Sequence, residues 1–137
     1  MQLSVGSKAS FTKKITEQEV VTFAELSGDN NPMHLDENYA RGTRFGRRIA
    51  HGAFSFAVIS TVLGTRLPGP GTIYMSQTLK FLKPVYFDDT ITGTAEITAI
   101  RADKGIITLK TSCTNQNGEP VAEGEAVVFH PDAKSAV

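Results

Sequence analysis

A carboxylate and an imidazole lie five positions apart in the segment Asp29-Asn30-Asn31-Pro32-Met33-His34. Residues at this spacing on a continuous helix point in different directions. Pro32, however, pushes Asn31 out of the α region, so the segment predicts a turn that brings Asp29 and His34 together. Around one shared water, the two side chains would form a general acid/base pair. The structural alternative is an Asx turn made by Asp29, beside a histidine of the surface or the core.

The composition is that of a globular protein, and the length predicts one domain over residues 1–137. Of the 137 residues, 40 % are hydrophobic and 20 % are charged. The 14 basic residues balance 14 acidic ones, which argues against a nucleic-acid binder. Residues 1–6 lack an apolar signal segment, and no apolar run is long enough to cross a membrane, so we expect a cytoplasmic protein without a membrane partner. The single cysteine, Cys113, excludes an internal disulfide and is expected to be a buried structural residue.

Several local patterns predict the elements that would position the pair. A strand is expected at residues 9–13, and Thr16 with Glu19 forms a capping box at the start of a short helix. The buried stripe of that helix is predicted to consist of Val20, Phe23, Ala24 and Ser27. Residues 28–50 are predicted to be irregular, and they are long for a structureless connection, a property typical of functional loops.

A continuous apolar helix and a run of alternating strands follow. Residues 52–63 are apolar on nearly every face, which predicts a helix buried on all sides. From Thr72 onward the hydrophobic period is two, which predicts strands separated by turns at residues 103–105 and 116–119. The predicted alternating apolar residues include Ile73, Met75, Leu79 and Phe81 in the first of these strands and Ile107, Leu109, Thr111 and Cys113 in a later one. A curved antiparallel sheet wrapped around a long central helix is the α+β architecture of the hot-dog fold, with residues 131–137 as a loose tail.

Four stretches of the chain carry a family resemblance. They are residues 27–36 around the Asp/His pair, the segment Ile49-Ala50-His51-Gly52, Ser60 nine positions after His51, and residues 79–90 with Lys83-Pro84-Val85. In this order they resemble the (R)-specific enoyl-CoA hydratases of the MaoC-like dehydratase family. The resemblance implies hydration of trans-2-enoyl-CoA to (R)-3-hydroxyacyl-CoA, a lyase reaction, together with the reverse dehydration.

The resemblance also assigns roles to individual residues. Asp29 and His34 are implied as the catalytic pair. The backbone N–H of Gly52 is implied as the donor to the thioester oxygen, and the Ser60 hydroxyl as a support for the catalytic carboxylate. For Ser60 the alternative is a hydroxyl bonded to a carbonyl of its own helix. Which member of the pair protonates Cα stays open.

Two further residues, Asn31 and His51, are expected to support the same site. For His51 the alternative is a purely structural position at the start of the central helix. The arginines in residues 44–48 and the lysines Lys80 and Lys83 form basic positions near the loop. They are either solvated or ligands for the phosphates of coenzyme A.

The expected partners are an acyl-CoA thioester substrate and a second copy of the chain. The resemblance implies a homodimer in which the curved sheets pair edge to edge. Three histidines and one cysteine show no metal-ligand spacing, so neither a metal nor an organic cofactor is expected.

Three other functions compete with this interpretation. A dehydratase of acyl-carrier-protein substrates and a hot-dog thioesterase would each be expected to carry an acidic residue in the central helix, and residues 53–64 contain none. A non-catalytic acyl-binding module is the alternative from a different class. The acyl chain length and the metabolic pathway stay open.

Overall fold

The computed structural model describes residues 3–135, in which one sheet of five strands accompanies four α-helices. In chain order the elements are β1 (Lys8–Lys14), α1 (Glu17–Ser27), α2 (Pro32–Leu35), α3 (Glu37–Arg41), α4 (Ala53–Thr65), β2 (Ile73–Phe81), β3 (Thr90–Arg101), β4 (Ile106–Thr114), β5 (Pro120–Phe129) and a 3₁₀ helix (Pro131–Ser135). Every strand pairing is antiparallel, in the spatial order β1-β3-β4-β5-β2.

The inner face of the sheet packs against α4. This helix contacts β1, β2, β3 and β4, and its residues Val58, Ile59, Val62 and Leu63 are buried. Opposite them, the sheet contributes fully buried side chains that include Ile91, Ile97, Ile107 and Leu109. The prediction of a hot-dog fold is therefore confirmed. Among the described residues, no helix is long and apolar enough to cross a membrane.

The period-two prediction holds for β4, whereas in β2 it holds only for Leu79, which packs against the core. In β4 the predicted residues Ile107, Leu109, Thr111 and Cys113 are all buried. In β2 the register shifts between Tyr74 and Ser76, and the shift reverses which side chains face inward. Tyr74 is therefore half-buried, whereas Ile73 and Met75 are exposed.

The N-terminal part of the chain follows its local signals closely. Thr16 accepts the Glu19 N–H, and the Glu19 side chain accepts the Thr16 N–H, so the predicted capping box is present. Val20 and Ala24 are buried on α1, but Ser27 is exposed, contrary to the prediction. Residues 28–50 are not wholly irregular, because they contain α2 and α3.

The C-terminal segment also differs from its prediction. Residues 131–135 form a 3₁₀ helix rather than a loose tail, and Ala133 is fully buried in the core. The His130 ring holds this segment, since its Nδ1 accepts the Asp132 N–H at 3.1 Å and its Nε2 donates to the Pro70 carbonyl at 2.8 Å. The rest of the predicted tail, residues 136–137, lies outside the described residues.

Helix α4 is buried on one side only, which corrects the prediction of burial on all sides. Phe56, Ala57 and Ser60 form an exposed strip along it. Within residues 3–135 nothing covers this strip, although it includes the aromatic ring of Phe56.

The close approach of α4 to β3 generates a stability prediction. A Cβ at Gly93 would lie 2.6 Å from Cγ1 of Val58, whose branched side chain has little rotamer freedom. We expect Gly93→Ala to lower the free energy of unfolding by about 1–3 kcal/mol, measured by urea denaturation. As a control, Gly42→Ala should change it by less than about 0.5 kcal/mol, because the nearest atom, the Tyr39 carbonyl oxygen, lies at 3.6 Å. Equal losses in the two variants would contradict this account of the packing.

Candidate active site

The loop that carries Asp29 is shaped by a series of local hydrogen bonds. Helix α1 ends at Gly28, whose left-handed backbone (φ 84°) turns the chain away from the helix axis. The Asp29 Oδ1 then accepts the Asn31 N–H at 3.3 Å, and the Asn31 Oδ1 caps α2 by accepting the Met33 N–H at 3.0 Å. The Asx turn is therefore present, but these bonds leave the Oδ2 of Asp29 for other partners.

His34 lies in α2 with its ring buried. Its Nδ1 is 2.6 Å from the Ile49 carbonyl oxygen, and an acceptor at this position requires the proton on Nδ1. The neutral ring consequently carries its lone pair on Nε2. Burial lowers the pKa of His34 below its ordinary value; the Ile49 carbonyl opposes this shift, the nearby His51 adds to it, and the Asp29 charge opposes it.

His51 forms the reciprocal contact from the start of α4. Its ring is 3 % exposed, and its Nε2 donates to the main-chain carbonyl of Asp29 at 3.0 Å. The His51 and His34 ring centroids are 3.9 Å apart, and the Phe23 ring meets His51 edge-on at 4.8 Å. The His51 Nδ1 is buried and, within residues 3–135, has no hydrogen-bond partner.

These contacts bring the acidic and imidazole groups together. A carboxylate oxygen of Asp29 and one ring nitrogen each of His34 and His51 lie within 4.8 Å of one another. One water that makes hydrogen bonds of about 2.8 Å to two such atoms can bridge this distance. The arrangement can therefore hold a water between a carboxylate and a neutral imidazole.

A carboxylate with two imidazoles is also a ligand set for transition metals, which the sequence spacing did not suggest. The geometry of the rings argues for acid–base chemistry instead. A metal ion must lie near the plane of each ligating ring, whereas the two rings are stacked with only 32° between their planes.

A cleft of about 390 Å³ opens beside His34 and reaches the start of α4. Its walls are mainly apolar, from Ile49, Ala50, Phe45, Phe81, Leu82, Pro84 and Val85. Gly52 lines the cleft, and among the described residues its N–H has no hydrogen-bond partner. The N-terminal end of a helix carries a partial positive charge, so this N–H can donate to an oxygen in the cleft. Asp29 is not part of the cleft wall and reaches it only through its proximity to His34.

The space for a side chain at position 52 is also limited. A Cβ at this position would lie 2.9 Å from the Phe81 ring, which covers the first turn of α4. Only glycine therefore lets the ring pack there without displacement. The pattern of the sequence identified Gly52, but it did not identify Phe81 as the residue that covers it.

The remaining predicted residues are placed differently. Asn31 supports the site through the α2 cap described above. Ser60 lies on the exposed strip of α4, and within residues 3–135 no hydrogen bond joins it to Asp29, so the predicted contact does not form within one chain. Cys113 is buried against the Ser55 carbonyl, and burial raises the pKa of its thiol to about 11, which suits a structural residue.

Comparisons with known proteins agree with this geometry. Residues 2–118 match the family model described as MaoC like domain. The (R)-specific enoyl-CoA hydratase of Rhodospirillum rubrum is 50 % identical over 126 residues, which cover 92 % of this chain and 87 % of that protein. The (R)-specific enoyl-CoA hydratase of Aeromonas caviae is 46 % identical over 129 residues, covering 94 % and 96 % of the two chains. A solved structure of the (R)-hydratase from A. caviae involved in PHA biosynthesis has a TM-score of 0.90 at 46 % identity and covers 94 % of this chain and 98 % of its own.

The two ring environments lead to a prediction about protonation. We expect His34 to be the Nδ1–H tautomer and His51 the Nε2–H tautomer, as measured by long-range ¹H–¹⁵N correlation NMR. The pKa of His34 should lie below about 6.5, so the ring is neutral at pH 7. Because the unfolded ring takes up its proton first, His34 should also reduce stability as the pH falls below about 6.5. An Nε2–H tautomer of His34, or half-protonation above pH 6.5, would contradict the geometry.

Proposed function

The chain belongs to the family of MaoC-like domains, and we propose that it hydrates trans-2-enoyl-CoA to (R)-3-hydroxyacyl-CoA with Asp29 and His34 as the acid–base pair. The observation that carries the proposal is the short distance between these two groups beside the first turn of α4. The enoyl-CoA hydratase activity, a hydro-lyase reaction, was predicted from the sequence, and the similarity to named hydratases confirms it.

In the proposed reaction, a water is held between the Asp29 carboxylate and the free Nε2 of His34. Its oxygen forms a bond to C3 of the enoyl thioester while the pair takes up one water proton. The π electrons move toward the thioester carbonyl, and the resulting enolate oxygen accepts the Gly52 N–H. The pair then returns a proton to C2, so one water has been added in total, and the same steps in reverse are the dehydration.

The contributions of these groups have typical magnitudes. A positioned acid or base accelerates a reaction by about 10²–10⁴. One N–H donor to a developing oxyanion contributes about 10²–10³ in kcat. Since Asp29 and His34 act from one side, hydroxyl and proton are delivered to the same face of the double bond.

Asn31 and His51 act on this chemistry indirectly. Asn31 caps the helix that presents His34, and His51 holds the main chain of Asp29. Both are therefore positioning residues in the proposal. Location in the cytoplasm remains a prediction from the sequence.

The second part of the proposal is a homodimer formed through β2 and α4. Strand β2 lies at the edge of the sheet and carries exposed apolar residues, as does the adjacent strip of α4. The exposed apolar side chains on β2 and directly after it are Ile73, Met75, Phe81 and Leu82. Phe56 of α4 lies next to Phe81, with 6.4 Å between the ring centroids. Free strand edges and contiguous apolar patches are typical of surfaces that bind another chain.

A second copy of the chain at this surface would also complete the site. Phe81 and Leu82 line the cleft and belong to the exposed apolar region as well. Residues of the partner would therefore extend the cleft wall. Ser60, exposed on the same side of α4, would be covered at the same time.

The alternative functions are distinguished by one substrate. With trans-2-butenoyl-CoA, a hydratase removes the absorbance of the conjugated thioester without releasing thiol. A thioesterase releases free thiol, and an acyl-binding module binds without turnover. A carrier-protein dehydratase would favour the carrier-bound thioester over the CoA thioester.

We expect Asp29→Asn and His34→Ala each to lower kcat for trans-2-butenoyl-CoA by about 10²–10⁴, because each removes one group of the acid–base pair. Circular dichroism should show an unchanged fold. Asp36→Asn is the matched control: Asp36 lies in the same loop and caps α3 through its side chain, a role that asparagine also fills. Retention of most of the activity by either Asp29→Asn or His34→Ala would overturn the assignment of the pair.

For the dimer, light scattering should give twice the mass of one chain. We expect Met75→Glu to produce a monomer, since it places a charge in the apolar region of β2. Leu26→Glu should leave the dimer intact, because Leu26 is 82 % exposed on α1, outside that surface. A wild-type protein that is monomeric at every working concentration would contradict the proposed interface.

A further inference from the structure

The three arginines of residues 44–48 differ in their ionic partners. Arg48 is 16 % exposed and binds Glu17 through Nη2 at 2.5 Å and Glu37 through Nε at 3.1 Å. These carboxylates raise the pKa of Arg48, led by the hydrogen bond to Glu17. Arg48 is therefore already neutralised within the protein, and an external anion would have to displace two carboxylates to reach it.

Arg44 and Arg47 are exposed and lack such partners. Within residues 3–135, neither forms a salt bridge with a carboxylate. The Arg44 guanidinium carbon lies 4.8 Å from the centre of the Phe45 ring, and that of Arg47 lies 3.8 Å from the centre of the Tyr86 ring. Stacking orders a guanidinium group by its flat face and leaves its N–H edge free to bind an anion.

The two stacked arginines are held as one unit. The Tyr86 hydroxyl donates to the Phe45 carbonyl at 3.1 Å, so the ring under Arg47 is bonded to the residue whose ring lies under Arg44. This bond therefore links the positions of the two cations. Arg44 itself lines the cleft together with His34.

A second cavity continues the cleft toward Arg47. It measures about 340 Å³, and Lys83 and Pro84 line it as well as the first. Its wall includes three amide side chains and two carboxylates, those of Glu119 and of Asp89, and Asp89 accepts hydrogen bonds from the Tyr86 N–H and from Gln116 Nε2. The amides belong to Asn115, Gln116 and Asn117. Lys83 is paired with Glu119 at 2.7 Å, so among the cations along this path Arg44 and Arg47 are those without a carboxylate partner in the described part of the chain.

We propose that Arg44 and Arg47 bind the phosphate groups of the substrate's thioester carrier, with the nucleotide end of coenzyme A directed toward the second cavity. The inference rests on the proposed function, since the thioester must lie between His34 and Gly52 for its carrier to extend past Arg44. Guanidinium groups suit this task because their paired N–H donors match the oxygens of a phosphate. The two arginines thus favour anionic carriers over neutral ones.

The test compares three trans-2-butenoyl thioesters that share the reacting group: those of coenzyme A, 4′-phosphopantetheine and pantetheine. For Arg44→Gln and Arg47→Gln, we expect KM for the CoA thioester to rise about tenfold each, the loss expected for a charge-assisted contact, with kcat unchanged. KM for the pantetheine thioester, which has no phosphate, should not change. An equal loss with phosphopantetheine would identify the pantetheine phosphate as the ligand, and a loss confined to CoA would identify the nucleotide phosphates; both support the proposal.

Arg66→Gln is the matched control, because Arg66 is also an exposed arginine over an aromatic ring, Phe11, at 5.3 Å, but lines neither cavity. It should leave KM for all three substrates unchanged. The proposal is overturned if the Arg44 and Arg47 variants keep the wild-type KM for CoA, or if KM for pantetheine rises equally. A wild-type protein that hydrates none of the thioesters would instead refute the proposed function.

Discussion

Two imidazole–carbonyl hydrogen bonds, exchanged between residues 29–34 and residues 49–51, hold the site together. His34 donates to the Ile49 carbonyl, and His51 donates to the Asp29 carbonyl. Each bond joins segments that are far apart in sequence, and each also fixes the tautomer of its ring. His51 binds the main chain of Asp29, and the carboxylate extends from that main chain. The bond to His51 therefore also restricts where the carboxylate can lie. The acid–base pair is thus a consequence of how the loop is attached to the start of α4.

The packing of α4 against the sheet fixes the position of the first turn of this helix. Gly93 allows the helix to approach β3 closely, and the buried residues of α4 then fix its axis. At its N-terminal end, the helix has no side-chain cap and carries Gly52 under the Phe81 ring. An uncapped helix end beside a mainly apolar cleft leaves an N–H donor for a developing oxyanion. The fold therefore supplies the electrophilic side of the site, and the loop supplies the acid–base side.

Local signals in the sequence predicted the structure correctly where the stabilising interactions are between neighbouring residues. The Thr16–Glu19 capping box and the alternation of β4 are set by neighbouring residues, and both predictions are confirmed. The register shift in β2 depends on pairing with β5, so the exposure of Met75 and the burial of Tyr74 could not be read from β2 alone. In the same way, Pro32 predicted a turn but is equally suited to the first position of a helix, which is how α2 uses it.

The contacts that the sequence could not predict are mainly those between residues far apart in the chain. The bond between His51 and Asp29 spans 22 positions, and the ion pair of Arg48 with Glu17 spans 31. Nothing in residues 44–48 distinguishes Arg48 from its neighbours, yet the structure neutralises it and leaves Arg44 and Arg47 without carboxylate partners among the described residues. The family resemblance identified His51 as a supporting residue, but only the structure reveals what it supports.

The unpaired Nδ1 of His51 is the one buried side-chain polar atom without a partner in the part of the chain that the structure describes. Burying such an atom costs about 1–3 kcal/mol, so its presence calls for a physical reason. A proton on Nδ1 would make the ring a cation, stacked 3.9 Å from His34, and would oppose protonation of His34 by charge repulsion. This neighbouring imidazole is one of the causes that lower the pKa of His34, after burial of the ring. The stacking of the two rings therefore links the environment of His51 to the basicity of His34.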